Sequence, residues 1–87
     1  MKEKEIAIGE VIGYFGKIGV AAIKITNGEL KIGDRIKFKG YKTNFEQEIK
    51  TMRSDHEKLE KIEAGTDIGL KVKEKVRQHD TVYVLRK

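Results

Sequence analysis

The chain has 87 residues, a formal net charge of +5 at pH 7 and no cysteine. This length predicts a single domain, residues 1–87, with residues 1–5 disordered, and it leaves no room for separate catalytic and binding domains. The absence of cysteine excludes disulfides, thiolate catalysis and zinc sites built on sulfur. Acidic and basic residues are mixed, so the positive excess permits RNA, acidic proteins or anionic lipids as partners and does not select among them.

Short apolar runs with a period of two follow one another along the chain, which predicts antiparallel strands. The first run contains Ile6 and Ile8, and the second covers residues 20–25. Asn27 and Gly28 then predict a hairpin-type turn, because both residue types tolerate positive φ.

The clearest strand pattern lies in the middle of the chain, where Ile36 and Phe38 alternate with cations. A further strand is predicted over residues 43–52, with a bulge near its end, and the last two strands near residues 68–72 and 82–84. About six short strands with regular turns predict an all-β fold, a small six-stranded antiparallel closed β-barrel that has no exposed sheet edge.

The segment of residues 54–65 departs from this pattern. Ser54 and Glu57 fit a capping box, and Gly65 fits a helix end, so local rules favour one or two helical turns there.

The chain opens with charged residues after Met1 and shows no apolar signal segment, and its longest apolar stretch, residues 19–23, is too short to span a bilayer. We therefore expect a cytoplasmic protein without membrane contact. The abundance of Lys, Glu and Ile resembles the usage of thermophile proteins.

The run IGEVIGYFGKIGVAAIKITNGELKIGDRIKFKG resembles the second domain of translational GTPases, the barrel that follows the G domain in elongation factor Tu. The matching segments, in order, are Gly9-Glu10-Val11, Gly28 to Asp34, Arg35 to Gly40, Ala64-Gly65 and Ile68-Gly69-Leu70. The resemblance implies a translation-protein β-barrel, and it implies that HEKLEKIEAG is extended, which we adopt over the helical alternative. The C-terminal barrel of collagenase-like peptidases is similar as well, around FEQEIKTMR and the closing LRK.

A GTPase also needs a glycine-rich phosphate loop that ends in Lys-Ser or Lys-Thr. Here Gly16-Lys17 is followed by Ile18, which has no hydroxyl for magnesium, and the guanine-reading Asn-Lys-x-Asp element is missing. We therefore expect no GTP binding by this chain, and no cofactor.

Reactive residue types occur without a convincing catalytic arrangement. Ser54-Asp55-His56 contains the residue types of a hydrolytic triad, but neighbours in sequence project in different directions. His56 and His79 each adjoin an aspartate without a third metal ligand at usable spacing. The glutamates are interleaved with lysines, which is typical of a solvated face. We expect no catalytic residue, no metal site and no enzyme activity.

Two basic clusters are the main candidates for a binding role. RNA phosphates are the partner that such clusters fit, and Tyr41 beside the first cluster could stack on a base. The alternative is ordinary solvated lysine on an outer barrel face, and one sequence does not reveal whether the clusters share a side. The candidate RNA-binding residues are Arg35, Lys37, Lys39, Lys42, Lys71, Lys73, Lys75 and Arg77.

The motif GYFGKIG suggests a second kind of contact. Tyr14 and Phe15 are adjacent, so on a strand they point to opposite faces and only one belongs to the core. The other side chain either caps the end of the barrel or, because it lies in a glycine-flanked loop, contacts a partner. The candidate partner contacts are Tyr14, Phe15 and Tyr41.

Two functions follow from these patterns. The first is a free-standing, non-catalytic translation module that binds tRNA, ribosomal RNA or a ribosome-associated factor, as the resemblance to elongation factor Tu implies. The second is a protein-interaction or accessory domain for a separately encoded GTPase or peptidase, without RNA contact, which predicts an exposed apolar patch near Tyr14, Phe15 or Tyr41.

Overall fold

A computed structural model describes residues 4–54 and 57–86. These residues form strands joined by turns, which confirms the all-β class, and they include no helix long and apolar enough to cross a membrane. The strands are β1 (Lys4–Phe15), β2 (Val20–Ile25), β3 (Glu29–Lys31), β4 (Arg35–Lys39), β5 (Asn44–Glu48), β6 (Met52–Ser54), β7 (Glu57–Leu59), β8 (Lys61–Glu63), β9 (Asp67–Lys71) and β10 (Thr81–Arg86).

Eight strands form one antiparallel sheet in the order β5-β4-β10-β1-β2-β9-β6-β7, and β3 pairs with β8 in a separate ribbon. The prediction of a closed six-stranded barrel is therefore wrong, because this sheet is open, with β5 and β7 at its edges. The single strand predicted over residues 43–52 is divided between β5 and β6. Among the described residues β5 pairs with β4 alone, so no ladder joins β5 to the far side of the sheet.

The long strand β1 pairs with β10 on one side and with β2 on the other. Its ladders are irregular just before Gly9 and again just before Gly13. A Cβ at Gly9 would overlap the carbonyl oxygen of Lys24, so glycine is required for the close approach of β1 and β2. Residues 4 and 5, assigned from the sequence to a disordered terminus, pair here with β10, and residues 1–3 lie outside the described part.

Alternate residues of β4 separate the core from the outer face. Ile36 and Phe38 are fully buried, and the ring of Phe38 stacks on that of Phe45 with 5.0 Å between centroids. Burial of such side chains is the main stabilising term of a small domain. The other buried apolar residues are Ile8, Val11, Ala21, Ile23, Ile25, Leu30, Ile49, Met52, Ile62, Ile68, Leu70, Val72, Val76, Val82 and Val84.

The segment of residues 57–63 is extended, as the family resemblance implies, and the helical prediction from capping is wrong for it. β8 lies beside β3, with Ile62 opposite Leu30, and both side chains are buried. This burial outweighs a local helix signal that has few apolar anchors. Residues 55–56 of the predicted helix lie outside the described residues.

The turn at Asn27-Gly28 forms, with Gly28 at a φ of 70°. It does not close a hairpin as predicted. β2 pairs with β1 and β9, whereas β3 pairs with β8, so the turn transfers the chain from the sheet to the ribbon.

Candidate functional site

The first basic cluster lies on and just beyond the outer face of β4, and two of its cations pair with acidic side chains. Lys37 Nζ is 3.0 Å from Glu5 Oε2, and the Lys37 side chain is only 16% exposed. Arg35 Nε is 3.4 Å from Glu46 Oε1 of the neighbouring strand β5. This face therefore carries both signs of charge, which differs from the continuous positive surface that RNA phosphates favour.

The second basic cluster begins at the end of β9 and continues into the connection to β10. Lys71 ends β9, and Lys73 and Lys75 follow it. The backbone N–H of Arg77 donates to Asp80 Oδ2 at 2.8 Å, and that of Asp80 donates to the carbonyl of Arg77 at 3.1 Å. The buried carboxylate of Asp80 thus holds the turn that leads into β10.

Three of the eight predicted cations, Arg35, Lys71 and Lys73, meet at one groove with a volume of about 810 Å³. It lies between the edge of β5 and the segment that follows β9. The other five, Lys37, Lys39, Lys42, Lys75 and Arg77, do not line it. The groove is lined by Arg35, Glu46, Gln47, Glu48, Lys50, Thr51, Lys71, Val72 and Lys73.

Gln47 spans this groove. Its Nε2 donates to the carbonyl oxygen of Lys71 at 2.8 Å, and its Oε1 accepts from the backbone N–H of Lys73 at 3.0 Å. Gln47 was not among the residues predicted from the sequence, although a signal was present: it has the parity of the buried Phe45 and Ile49, yet it is polar and only half-buried.

The neighbours Tyr14 and Phe15 point to opposite faces, as predicted for a strand. Tyr14 packs against the core, whereas Phe15 is 56% exposed. Tyr41 is 98% exposed in the turn between β4 and β5.

The hairpin tip between β1 and β2 adds an apolar residue that the sequence analysis missed. Ile18 is 62% exposed, and its backbone N–H donates to the carbonyl of Phe15 at 3.2 Å, so the two side chains leave the same tight turn. Gly19 closes this turn with a φ of 65°. The signal available in the sequence was that two large apolar residues, Phe15 and Ile18, are each followed directly by glycine. We call Phe15 and Ile18 the hairpin-tip pair.

The residues that were weighed for catalysis or metal binding receive no added support. Asp55 and His56 lie outside the described residues. His79 is exposed in the turn before β10, where its φ is 76°. Its backbone N–H donates to the carbonyl of Val11 at 2.8 Å. Within residues 4–54 and 57–86, no three His, Asp or Glu side chains come together as metal ligands.

The sequence of this domain is similar to parts of known peptidases. No protein-family model matches the sequence. The chain is 40% identical over 81 residues to a collagenase of Porphyromonas gingivalis, covering 92% of this chain and 20% of that protein. It is 36% identical over 86 residues to an uncharacterized protease of Methanocaldococcus jannaschii, covering 98% of this chain and 21% of that protein. The chain thus spans about a fifth of these relatives.

A solved structure identifies the part of a peptidase that this fold matches. The C-terminal domain of a putative U32 peptidase from Geobacillus thermoleovorans superposes with a TM-score of 0.83 and 25% identity, covering 92% of this chain and 91% of that one. Homology to the C-terminal domain of U32 peptidases is supported. The similarity noted around FEQEIKTMR was therefore the more informative of the two resemblances.

The translation-factor interpretation is corrected by these findings. Its support is a match to elongation factor 1-alpha of Desulfurococcus mucosus, 37% identical over 73 residues and covering 16% of that protein. The longer matches and the superposed structure are peptidase proteins, so the prediction of an RNA-binding translation module is wrong. The cytoplasmic location stays a prediction.

Proposed function

We propose that this chain is a non-catalytic accessory domain of a U32-type peptidase, which contacts protein through the hairpin-tip pair. One observation carries the proposal: the fold matches a domain that forms the C-terminal part of a putative U32 peptidase, over nearly the full length of both. The alternative function predicted from the sequence, an accessory domain for a peptidase, is supported by the same match.

The outer-face charges favour a non-catalytic role. The carboxylate of Glu46, on β5, is paired with Arg35 at 3.4 Å. General acid–base catalysis needs a carboxylate that is free to reach a substrate proton. The Glu46 carboxylate instead faces the Arg35 guanidinium in a partly exposed ion pair.

The hairpin-tip pair is the best candidate for docking. Phe15 and Ile18 are large apolar side chains left in solvent at a loop tip. Burying each of them on a partner contributes about 1.5–3 kcal/mol, which makes such residues anchors of an interface. Tyr14, the residue before Phe15, packs against the core and so fixes this end of β1.

Calorimetry tests this proposal with the Methanocaldococcus jannaschii protease shortened by the region that this chain matches. We expect the chain to bind the shortened protease and to leave gelatin and casein uncleaved when assayed alone. Phe15→Ser or Ile18→Ser should weaken binding by at least about tenfold, the loss of one buried anchor. Ile32→Ser is the matched control, since Ile32 is 38% exposed in the turn between β3 and β4, outside the β1–β2 hairpin.

Two results would overturn the proposal. Absence of binding, or equal loss in the Ile32 control, would remove the docking surface. Cleavage of gelatin or casein by the chain alone would remove the non-catalytic role.

A further inference from the structure

The groove between β5 and residues 71–73 has an extended backbone on each of its two sides. On the β9 side, the N–H of Val72 donates to the carbonyl of Gly19, toward β2. Backbone groups alternate in direction along an extended chain, so the carbonyl of Lys71 and the N–H of Lys73 point the other way, into the groove.

On the β5 side the same alternation applies. The N–H of Ile49 donates to the carbonyl of Asp34 at 2.8 Å, and the N–H of Gly40 donates to the carbonyl of Thr43 at 2.8 Å. These two bonds bracket β5, so its residues of odd number bond to β4. The backbone groups of Glu46 and Glu48 therefore point away from β4, toward the groove.

Gln47 bridges the two sides with its side chain alone. The amide donates to a carbonyl and accepts from an N–H, and an added strand would make these two bonds with its own backbone N–H and C=O groups, supplied by two different peptide groups. Its orientation is unambiguous, because a carbonyl cannot donate and an N–H cannot accept. Gln47 thus stands in for a strand that the open sheet lacks.

The charges of the groove select among extended peptides. Arg35, Lys50, Lys71 and Lys73 line it together with the carboxylates of Glu46 and Glu48, which leaves a formal excess of two positive charges. Acidic side chains on an incoming strand would complement this excess. The volume of about 810 Å³ lies within the common range of ligand sites, about 300–1,000 Å³.

We propose that this groove binds an extended acidic peptide segment, which adds as a strand between β5 and residues 71–73. The Gln47 side chain leaves its two backbone partners, and the peptide backbone takes its place. Main-chain hydrogen bonds then supply affinity, and the alternate side chains meet the lysines, as in other cases of strand addition. The added strand joins β5 to the end of β9. The residues that line this groove do not include the hairpin-tip pair, and the inference does not depend on the proposed docking.

The probe is an acetylated and amidated hexapeptide in which glutamate alternates with threonine. Calorimetry should detect binding at low salt, and amide resonances of Glu46, Glu48 and Lys73 should shift in heteronuclear NMR spectra. The same hexapeptide with alternate nitrogens methylated keeps its charges but loses backbone donors, so it should bind about tenfold more weakly. A hexapeptide with lysine in place of glutamate should not bind.

Variants separate the groove from general charge. Changing both Lys71 and Lys73 to glutamine should weaken binding several-fold, about the loss of two partly exposed charge contacts. Changing both Lys75 and Arg77 to glutamine removes the same charge outside the groove and should have little effect. Gln47→Ala removes the competing amide and should tighten binding.

Three outcomes would overturn the proposal. They are equal binding of the N-methylated peptide, NMR shifts outside the groove, and equal losses in the two double variants. Failure of the peptide to bind even at millimolar concentration would overturn it as well. The peptide controls test strand addition in the unaltered protein, so they remain decisive where a variant fails to fold.

Discussion

Arg86 and Asp34 are joined by an ion pair that links the end of β10 to the turn before β4, with Arg86 Nη1 3.3 Å from Asp34 Oδ1. The other oxygen of Asp34 accepts the backbone N–H of Lys31 at 3.1 Å. One buried carboxylate therefore holds both a local turn and a contact between residues 52 positions apart.

Asp34→Ala should lower the free energy of unfolding by about 2–3 kcal/mol, because the Lys31 N–H and the Arg86 guanidinium both lose a partner. Urea denaturation measures this value. Glu29→Ala is the control: Glu29 pairs with Lys61 at 3.2 Å, but both side chains are exposed. Its cost should stay within about 0–1 kcal/mol. Equal losses in the two variants would contradict the role given to Asp34.

Gly40→Ala should destabilise the protein by about 1–3 kcal/mol, the usual cost of overpacking. A Cβ at this position would overlap the carboxylate of Asp80, which is buried and held by the N–H of Arg77. Gly13→Ala is the matched control, since its Cβ would meet only the Cβ of Ala22, at 3.9 Å. Thermal denaturation should show a lower Tm for the Gly40 variant alone, and an unchanged Tm there would contradict the packing argument.

The pair formed by Lys37 and Glu5 should show a coupling energy of about 0.5–1 kcal/mol in a double-mutant cycle. The Lys37 side chain is largely covered, which reduces its screening by water, while Glu5 is partly exposed. Glutamine replaces each residue, and the cycle is repeated in 1 M salt, where the coupling should fall. A coupling near zero at low salt would show that Lys37 has no stabilising partner and that its charge is available for other contacts.

The hairpin-tip pair should be dispensable for folding. Phe15→Ser and Ile18→Ser should change the free energy of unfolding by no more than about 0.5 kcal/mol, because surface substitutions away from buried contacts are nearly neutral. Tyr14→Ser should cost more than about 1 kcal/mol, since Tyr14 packs against the core. A large loss of stability at Phe15 or Ile18 would assign this pair to the fold instead of to a partner.

The sequence analysis was right where one short stretch of chain carries the information. The alternation of Ile36 and Phe38 with cations predicts a strand with a buried and an exposed face, and β4 has both. The opposite directions of Tyr14 and Phe15 follow from the same period of two. The positive φ of Gly28 was likewise readable from its residue type.

Local rules failed at the segment of residues 57–63. Its capping pattern predicts a helix, but Ile62 is buried opposite Leu30, a residue distant in sequence. The small preference of a short helix is overcome by such burial.

The sequence by itself determined the all-β class, because strand period and turn chemistry are properties of neighbouring residues. Only the tertiary structure decided which strands pair, that the sheet stays open, that Glu5 contacts Lys37, and that Gln47 spans the groove. These contacts join residues 24 and 32 positions apart, so they depend on how the whole chain buries its apolar faces. The candidate groove lies next to the start of the β6–β9 ladder, whose first pair is Met52 with Leu70, and no local pattern records where a ladder begins.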